Sequence, residues 1–122
     1  MREKLKAFKV LSDETKLRVL NLITERECCV CEVMQALEIS QSKSSRCLSA
    51  LYDAGFLKQR KEGLWSLYSI DEKNTRGFRA RLIEAAKESL KDSRIAAQDK
   101  ERLKLATRTG INCVQGTCLS NK

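Results

Sequence analysis

The stretch S-Q-S-K-S-S-R-C-L-S-A-L-Y-D-A-G, residues 40–55, decides the fold. Ser40 offers a side-chain oxygen that can cap a helix, and Gly55 is placed to end that helix. Between them, an apolar stripe at helical spacing is predicted to face the core, formed by Cys47, Leu48, Leu51 and Ala54. The opposite face is polar and carries Ser42, Ser45, Arg46 and Ser49. The stretch therefore predicts an amphipathic helix with a polar and basic outer face.

Further elements are predicted on both sides of this helix. Before it, helical spacing predicts a short helix ahead of Ser12, a second helix through about Glu25 and a third over residues 28–37. After it, residues 56–61 and 64–70 are predicted to form two strands joined by a tight turn at residues 62–63.

The helical period returns from about Asp71, and a last helix is predicted over residues 92–106. These two helices carry one modest apolar stripe with little protein left to cover it, so we expect a partner chain to cover it. Residues 1–106 are thus predicted to form one mainly α domain with a small β-hairpin. Residues 107–122 are predicted to form a flexible tail that contains cysteine.

Charge is concentrated in one segment of the chain. The 122 residues include 24 Lys+Arg and 16 Asp+Glu, a formal net charge of +8. Residues 41–61 hold five basic and one acidic side chain, which is +4 and half of the excess. A dense basic segment is typical of proteins that bind the phosphate backbone of nucleic acids. Since no apolar run approaches the roughly 18 residues of a spanning helix and the start lacks a secretory signal, we expect a cytoplasmic protein without a membrane partner.

The order of these elements predicts a winged helix-turn-helix that binds double-stranded DNA. Two short helices are separated by a tight turn, and a basic hairpin follows the second one, which would lie in the major groove. The predicted contacts on this helix are Gln41, Ser42, Lys43, Ser44, Ser45 and Arg46. Those on the wing, where cations would meet backbone phosphates, are Lys58, Arg60 and Lys61.

Six cysteines and no histidine define the second feature of the chain. In a reducing compartment, thiols serve as metal ligands, redox sensors or small buried hydrophobes. Soft thiolates select thiophilic ions, and the spacing of Cys28, Cys29 and Cys31 does not match the C-x2-C pattern of structural zinc sites. Because side chains two apart on a helix point about 200° apart, Cys29 and Cys31 are expected to share an ion only if the helix start unwinds. Cys28 and Cys31, three apart, are expected to face the same side.

The other cysteines leave several interpretations open. Cys113 and Cys118, near the end of the chain, could fold back as additional ligands, form a redox pair or be incidental surface residues. Cys47 lies on the inward face of the predicted recognition helix and is interpreted as a core residue. Cys28 could equally be a ligand or a buried small hydrophobe.

Several of these segments together resemble the arsenic-responsive branch of the ArsR/SmtB repressors. The matching segments are L-S-D-E-T-K-L-R-V-L-N-L-I at residues 11–23, C-V-C-E at 29–32, S-Q-S-K-S-S-R at 40–46 and G-x-W-x-x-Y at 63–68. The resemblance implies a homodimer of winged-helix subunits that represses transcription until a thiophilic ion binds. It points to trivalent arsenic or antimony as the inducer, with no permanent cofactor, and to Cys29 and Cys31 as ligands. The family often has a third Cys where this chain has Met34, and His where it has Cys47.

Two other functions use the same cysteines. A thiol redox or persulfide sensor would switch by forming a disulfide within the same scaffold. A small thiol-dependent reductase handling arsenic would need an activated thiol in a pocket, and the chain has neither His nor a phosphate-binding or cofactor-binding loop. We therefore do not expect an enzyme.

Overall fold

The computed structural model describes residues 1–108, which form six helices and one hairpin. The elements are α1 (Arg2–Val10), α2 (Glu14–Glu25), α3 (Val30–Leu37), α4 (Gln41–Asp53), β1 (Leu57–Glu62), β2 (Trp65–Ile70), α5 (Phe78–Ser89) and α6 (Arg94–Leu105). This order confirms the predicted winged helix-turn-helix, with α3 and α4 as the helix pair and β1–β2 as the wing.

Side-chain caps begin three of the helices. Asp13 accepts a hydrogen bond from the Lys16 backbone N–H at 3.0 Å, which starts α2. Ser40 accepts one from the Lys43 N–H at 3.1 Å, as predicted for α4. Ser93 accepts a hydrogen bond from the Ala96 N–H at 3.1 Å and so caps α6. Each cap satisfies a donor that the first turn of a helix otherwise leaves unpaired.

The turn between α3 and α4 positions α4, the recognition helix, against the core. Glu38 adopts the left-handed conformation (φ 57°, ψ 49°), so the chain leaves α3 and enters α4 within three residues. The inward faces of α2, α3 and α4 meet in the main core, where Leu20, Val33, Leu48 and Leu51 are fully buried. The recognition helix therefore sits on a continuous apolar support.

The wing is a two-stranded antiparallel hairpin whose turn lies one residue later than predicted. Glu62 pairs with Trp65, which leaves Gly63 and Leu64 as the turn residues instead of residues 62–63. Gly63 supplies the positive φ (62°) that such a short hairpin turn requires. Gly55, which follows α4, also has a positive φ (90°), and a Cβ there would lie 2.5 Å from the amide nitrogen of Asn74.

The last two helices are covered only in part within the chain, because Ile95 and Leu105 of α6 remain 45% and 82% exposed. Ala96 and Leu103 of α6 are buried, and α6 packs along α3 and α2. Ile83 and Ala86 of α5 are also buried. The part of this cover that α3 supplies was not predicted, because contacts between α6 and α3 join residues far apart in the chain.

Candidate DNA-binding surface and thiol site

The N-terminal part of α4 presents a polar surface. Ser42, Lys43 and Arg46 are exposed, while Gln41 and Ser45 are partly buried and lie close enough for a 3.4 Å contact from Gln41 Nε2 to Ser45 Oγ. This is the arrangement that a helix in the major groove requires, with donors and cations near its N-terminus.

Ser44 departs from the prediction and faces the interior. Its side chain is fully buried, and its hydroxyl donates to the backbone oxygen of Ser40 at 2.9 Å. Ser44 precedes Leu48 by four residues and Leu51 by seven, so the helical period places it on the inward stripe. The prediction that Ser44 contacts DNA is therefore wrong.

The wing cations differ in how they are paired. Lys58, Arg60 and Lys61 are all exposed on β1. Arg60 donates to both carboxylate oxygens of Glu27 at 2.8 Å and contacts Glu62 at 2.8 Å. These two acids raise the pKa of Arg60, chiefly through their hydrogen bonds. Lys58 makes a longer contact of 3.4 Å with Glu72, whereas Lys61 forms no ion pair within residues 1–108.

Cys29 and Cys31 belong to a small buried cluster beneath the wing. Both are at most 2% exposed and pack with Leu67 of β2, and Trp65 lies against the same cluster. Cys29 is the extended N-cap residue of α3 (φ −98°, ψ 174°), whereas Cys31 lies within the helix. The premise that the helix start must unwind is therefore wrong, because Cys29 precedes the helix and regular helical spacing does not apply to the pair.

Cys28 lies in the main core instead of this cluster. Its backbone pairs with that of Tyr68 in an isolated antiparallel bridge, with N–O distances of 3.0 and 2.8 Å. Burial raises the pKa of the Cys28 thiol to about 12. Because Cys28 is in this bridge, α3 begins at Val30, two residues later than predicted. Cys28 and Cys31 lie in different clusters, contrary to the expectation that they face the same side.

A buried carboxylate that was not predicted from the sequence supports the start of α3. Glu32 is 3% exposed and accepts from the Cys29 backbone N–H at 2.8 Å, completing a capping box. It also contacts Arg26 at 2.8 Å and Arg108 at 3.2 Å. Burial would raise the pKa of Glu32, but the bonds from Arg26 and the Cys29 N–H lower it further than burial raises it. The spacing of Glu32 three residues after Cys29 was the available clue.

The chain beyond α6 returns to α3. Gln35 donates to the Thr107 backbone oxygen at 2.7 Å, and the Thr107 N–H donates to the Gln35 side-chain oxygen at 3.2 Å. Together with the contact of Arg108 to Glu32, this brings residue 108 beside the carboxylate that caps Cys29. Cys113 and Cys118 lie outside the described residues.

The donor set of the cluster suits a soft, thiophilic ion because it consists of sulfur in apolar surroundings. Cys28, Cys29, Cys31 and Cys47 are all buried. Within residues 1–108, no three Cys, Asp or Glu side chains are arranged to hold a metal ion.

Met34, at the position of the third family cysteine, is partly buried on α3. Cys47 is 3% exposed and packs in the main core, as interpreted from its place on α4.

Trp65 carries an unsatisfied donor at this cluster. Its indole nitrogen is buried and has no hydrogen-bond partner among the described residues. A buried N–H without an acceptor costs about 1–3 kcal/mol, so the closed arrangement of the cluster is not fully satisfied. The spacing of Trp65 and Leu67 two apart on a strand, which puts them on one face, could have indicated that they act together.

The fold and this surface define a winged helix-turn-helix protein of the DNA-binding class. The model of the bacterial regulatory protein arsR family matches residues 13–59, and the chain belongs to this family. No helix in the described part of the chain is long and apolar enough to cross a membrane.

Two curated relatives agree with this assignment. The chain is 48% identical over 64 residues to the arsenic resistance transcriptional regulator ArsR1 of Pseudomonas putida, covering 52% of this chain and 50% of that protein. It is 45% identical over 64 residues to the arsenical resistance operon repressor of Escherichia coli, covering 52% and 55%. The chain thus spans about half the length of these relatives.

The solution structure of the homodimeric winged helix-turn-helix DNA-binding domain of Mb0332 from Mycobacterium bovis has a TM-score of 0.63 at 22% identity. The match covers 76% of this chain and 82% of that one, and it supports the fold.

Proposed function

We propose that the chain is a transcriptional repressor that leaves its operator DNA when trivalent arsenic or antimony binds Cys29 and Cys31. The observation that carries this proposal is that two buried thiols pack directly against the wing of a DNA-binding fold. The names of the curated relatives, which refer to arsenic resistance, support the same inducer class. The exposed Lys43, Arg46 and Lys61 would supply the phosphate contacts.

The repressor is proposed to act as a homodimer. Leu5 and Phe8 of α1 are each 55% exposed, and Phe8 stacks on Phe78 at the start of α5 with ring centroids 6.2 Å apart. An apolar surface shared by α1 and α5 suits burial against a second copy. The homodimeric state of the Mycobacterium bovis domain supports the same arrangement.

A third sulfur is proposed to come from Cys113 or Cys118, with Cys28 as the other candidate. Residue 108 lies beside Glu32, whose carboxylate bonds the Cys29 N–H. Cys113 is five positions after Arg108 in the sequence, and an extended chain of that length reaches about 17 Å. A tail thiol is therefore within reach of the cluster, whereas the Cys28 thiol is turned into the main core.

The test is fluorescence anisotropy of the reduced protein on a labelled fragment of its own promoter. Arsenite is titrated first, and antimonite, a methylated arsenical, cadmium and lead follow as separate probes. We expect release by arsenite at concentrations stoichiometric with the protein. Cys29→Ser and Cys31→Ser are expected to retain DNA affinity and lose the release.

The redox alternative is separated by working without oxygen and with excess reductant. Release by arsenite under these conditions cannot come from a disulfide. Tight DNA binding without release by any of the ions, together with release by an oxidant, would refute the arsenic proposal.

A further inference from the structure

Three contacts tie the segment that precedes α3 to the wing. Glu27 forms a two-bond ion pair with Arg60 of β1. Cys28 pairs its backbone with that of Tyr68 in β2. Cys29 packs with Leu67, so three consecutive residues each contact the hairpin. A displacement at Cys29 is therefore expected to move the wing as well.

The cluster has little room for a ligand in its closed form. Cys29 and Cys31 are 1% and 2% exposed, and the side chains of Leu67 and Trp65 cover them. Protein interiors are packed to the density of organic crystals, so an atom inserted between the sulfurs and this cover must displace one of them. The cover is the part that can yield, because it lies on a two-stranded hairpin and Cys31 lies within a helix that packs on α4 and α6.

We propose that Trp65 and Leu67 are positioning residues that close the Cys29–Cys31 site and transmit ligand binding to the wing. This inference rests on the proposed function, since it needs a thiol-bound ligand. The indole N–H of Trp65 has no acceptor within residues 1–108, so outward movement of Trp65 breaks no hydrogen bond of its side chain there. Lys58 and Lys61 lie on the same hairpin, and its movement would withdraw them from the DNA backbone.

The chemical step is a ligand exchange without oxidation or reduction. Arsenous acid loses one hydroxyl group for each thiol that binds. An As–O bond breaks, an As–S bond forms, and the thiol proton leaves with the hydroxyl as water. The proposal therefore needs no reagent beyond arsenite itself.

The first measurement uses the intrinsic fluorescence of Trp65, which is the one tryptophan in the chain. Arsenite is titrated into the reduced full-length protein without DNA. We expect the emission to change with the same stoichiometry as arsenite binding measured by calorimetry. The change should be absent in the Cys29→Ser, Cys31→Ser double variant. Arsenite binding without any change in emission would show that Trp65 does not move, and would overturn the proposal.

The second measurement separates ligand binding from its transmission. DNA affinity is measured with and without saturating arsenite in Trp65→Phe and Leu67→Ala, and the ratio of the two affinities is compared with that of the wild type. Coupling between two sites typically changes affinity by about 5-fold to 150-fold, and we expect the ratio in these variants to fall below about 3-fold. Arsenite should still bind to both.

Leu64→Ala is the matched control, because Leu64 lies in the turn of the same hairpin and is 66% exposed. It should keep the wild-type ratio. Leu67→Val replaces Leu67→Ala if circular dichroism shows that the latter does not fold.

If Trp65→Phe and Leu67→Ala both keep the wild-type ratio of DNA affinities, the proposal is overturned. Loss of arsenite binding itself would also overturn it, since the side chains would then hold the ligand instead of transmitting its binding. A wild-type protein that binds arsenite but stays on DNA would refute the proposed function, and that result is visible without any variant.

Discussion

The guanidinium of Arg60, on the first strand of the wing, donates to both carboxylate oxygens of Glu27 at 2.8 Å. Arg60 also contacts Glu62 at 2.8 Å, so two acids offset its charge. The same ion pair lowers the pKa of Glu27. Arg60 was predicted from the sequence as a phosphate contact, yet in the structure it ties the wing to the residue that precedes Cys28. Its charge is therefore less available to DNA than that of Lys61.

Glu27→Gln tests this relationship directly. Removal of the carboxylate charge leaves Arg60 paired with Glu62 alone, so its charge should be more available to a phosphate and DNA affinity at low salt should rise. The slope of log affinity against log salt should steepen by up to about one unit, because each phosphate contact contributes about that much. Anisotropy titrations over a salt series measure the slope. Glu25→Gln is the control, since Glu25 pairs with Lys100 on α6 and not with the wing. Equal slopes in all three proteins would contradict the prediction.

The buried and exposed positions of α4 predict opposite effects on DNA binding. Arg46→Ala should reduce the salt slope by about one unit, because Arg46 is exposed at the N-terminal part of the helix. Ser44→Ala should leave the slope unchanged and lower the free energy of unfolding by about 1 kcal/mol, since it removes a buried hydrogen bond to Ser40. Anisotropy and urea unfolding of the same preparations give both quantities. A loss of affinity in Ser44→Ala larger than in Arg46→Ala would contradict the assignment.

Local sequence patterns predicted most of the fold. The cap at Ser40 and the apolar spacing of α2 and α4 depend on residues within one or two turns of each other, so they could be predicted from the sequence. The inward position of Ser44 could also have been predicted from the sequence. It shares the inward stripe of Leu48 and Leu51, but the polar character of its neighbours suggested a DNA contact instead.

The thiol site could be predicted only in part. The sequence indicates Cys29 and Cys31 as candidates, but their environment depends on residues far along the chain. Leu67, which lies on the wing, covers the pair. Tyr68, which is 40 positions after Cys28 in the sequence, pairs with the backbone of Cys28. Arg108 reaches Glu32 across 76 positions. No local period encodes such pairings, so the helix start was placed too early and the geometry of the pair was misjudged.

The roles of the remaining cysteines are separated by two variants. Cys28→Ala should keep the release of DNA by arsenite, because Cys28 packs in the main core and not with Cys29 and Cys31. The Cys113→Ser, Cys118→Ser double variant should weaken arsenite binding by about 10-fold or more, as the loss of a ligand implies, while leaving DNA affinity intact. Calorimetry with arsenite and anisotropy on the promoter fragment measure the two effects. The reverse pattern would assign the third sulfur to Cys28.

A buried ion pair between α2 and α6 predicts a large effect on stability. Asp99 is 1% exposed and accepts two bonds of 2.8 Å from Arg18, with a further contact of 3.2 Å from Arg102. Asp99→Ala leaves the Arg18 charge without its partner, and breaking such a pair costs about 3 kcal/mol. Urea unfolding followed by circular dichroism measures the loss, at one fixed protein concentration because the proposed dimerisation would also contribute to stability.

The control for this prediction is Glu101→Ala, on the exposed face of the same helix. Glu101 pairs with Lys104 at 3.1 Å, and both side chains are more than two-thirds exposed, so water screens the pair and its loss should change stability little. If the two variants unfold at the same urea concentration, the Arg18–Asp99 pair does not hold α6 to α2. If Asp99→Ala unfolds at a much lower urea concentration than Glu101→Ala, the Arg18–Asp99 pair anchors α6. Residues 107 and 108 then depend on this pair for their position beside α3.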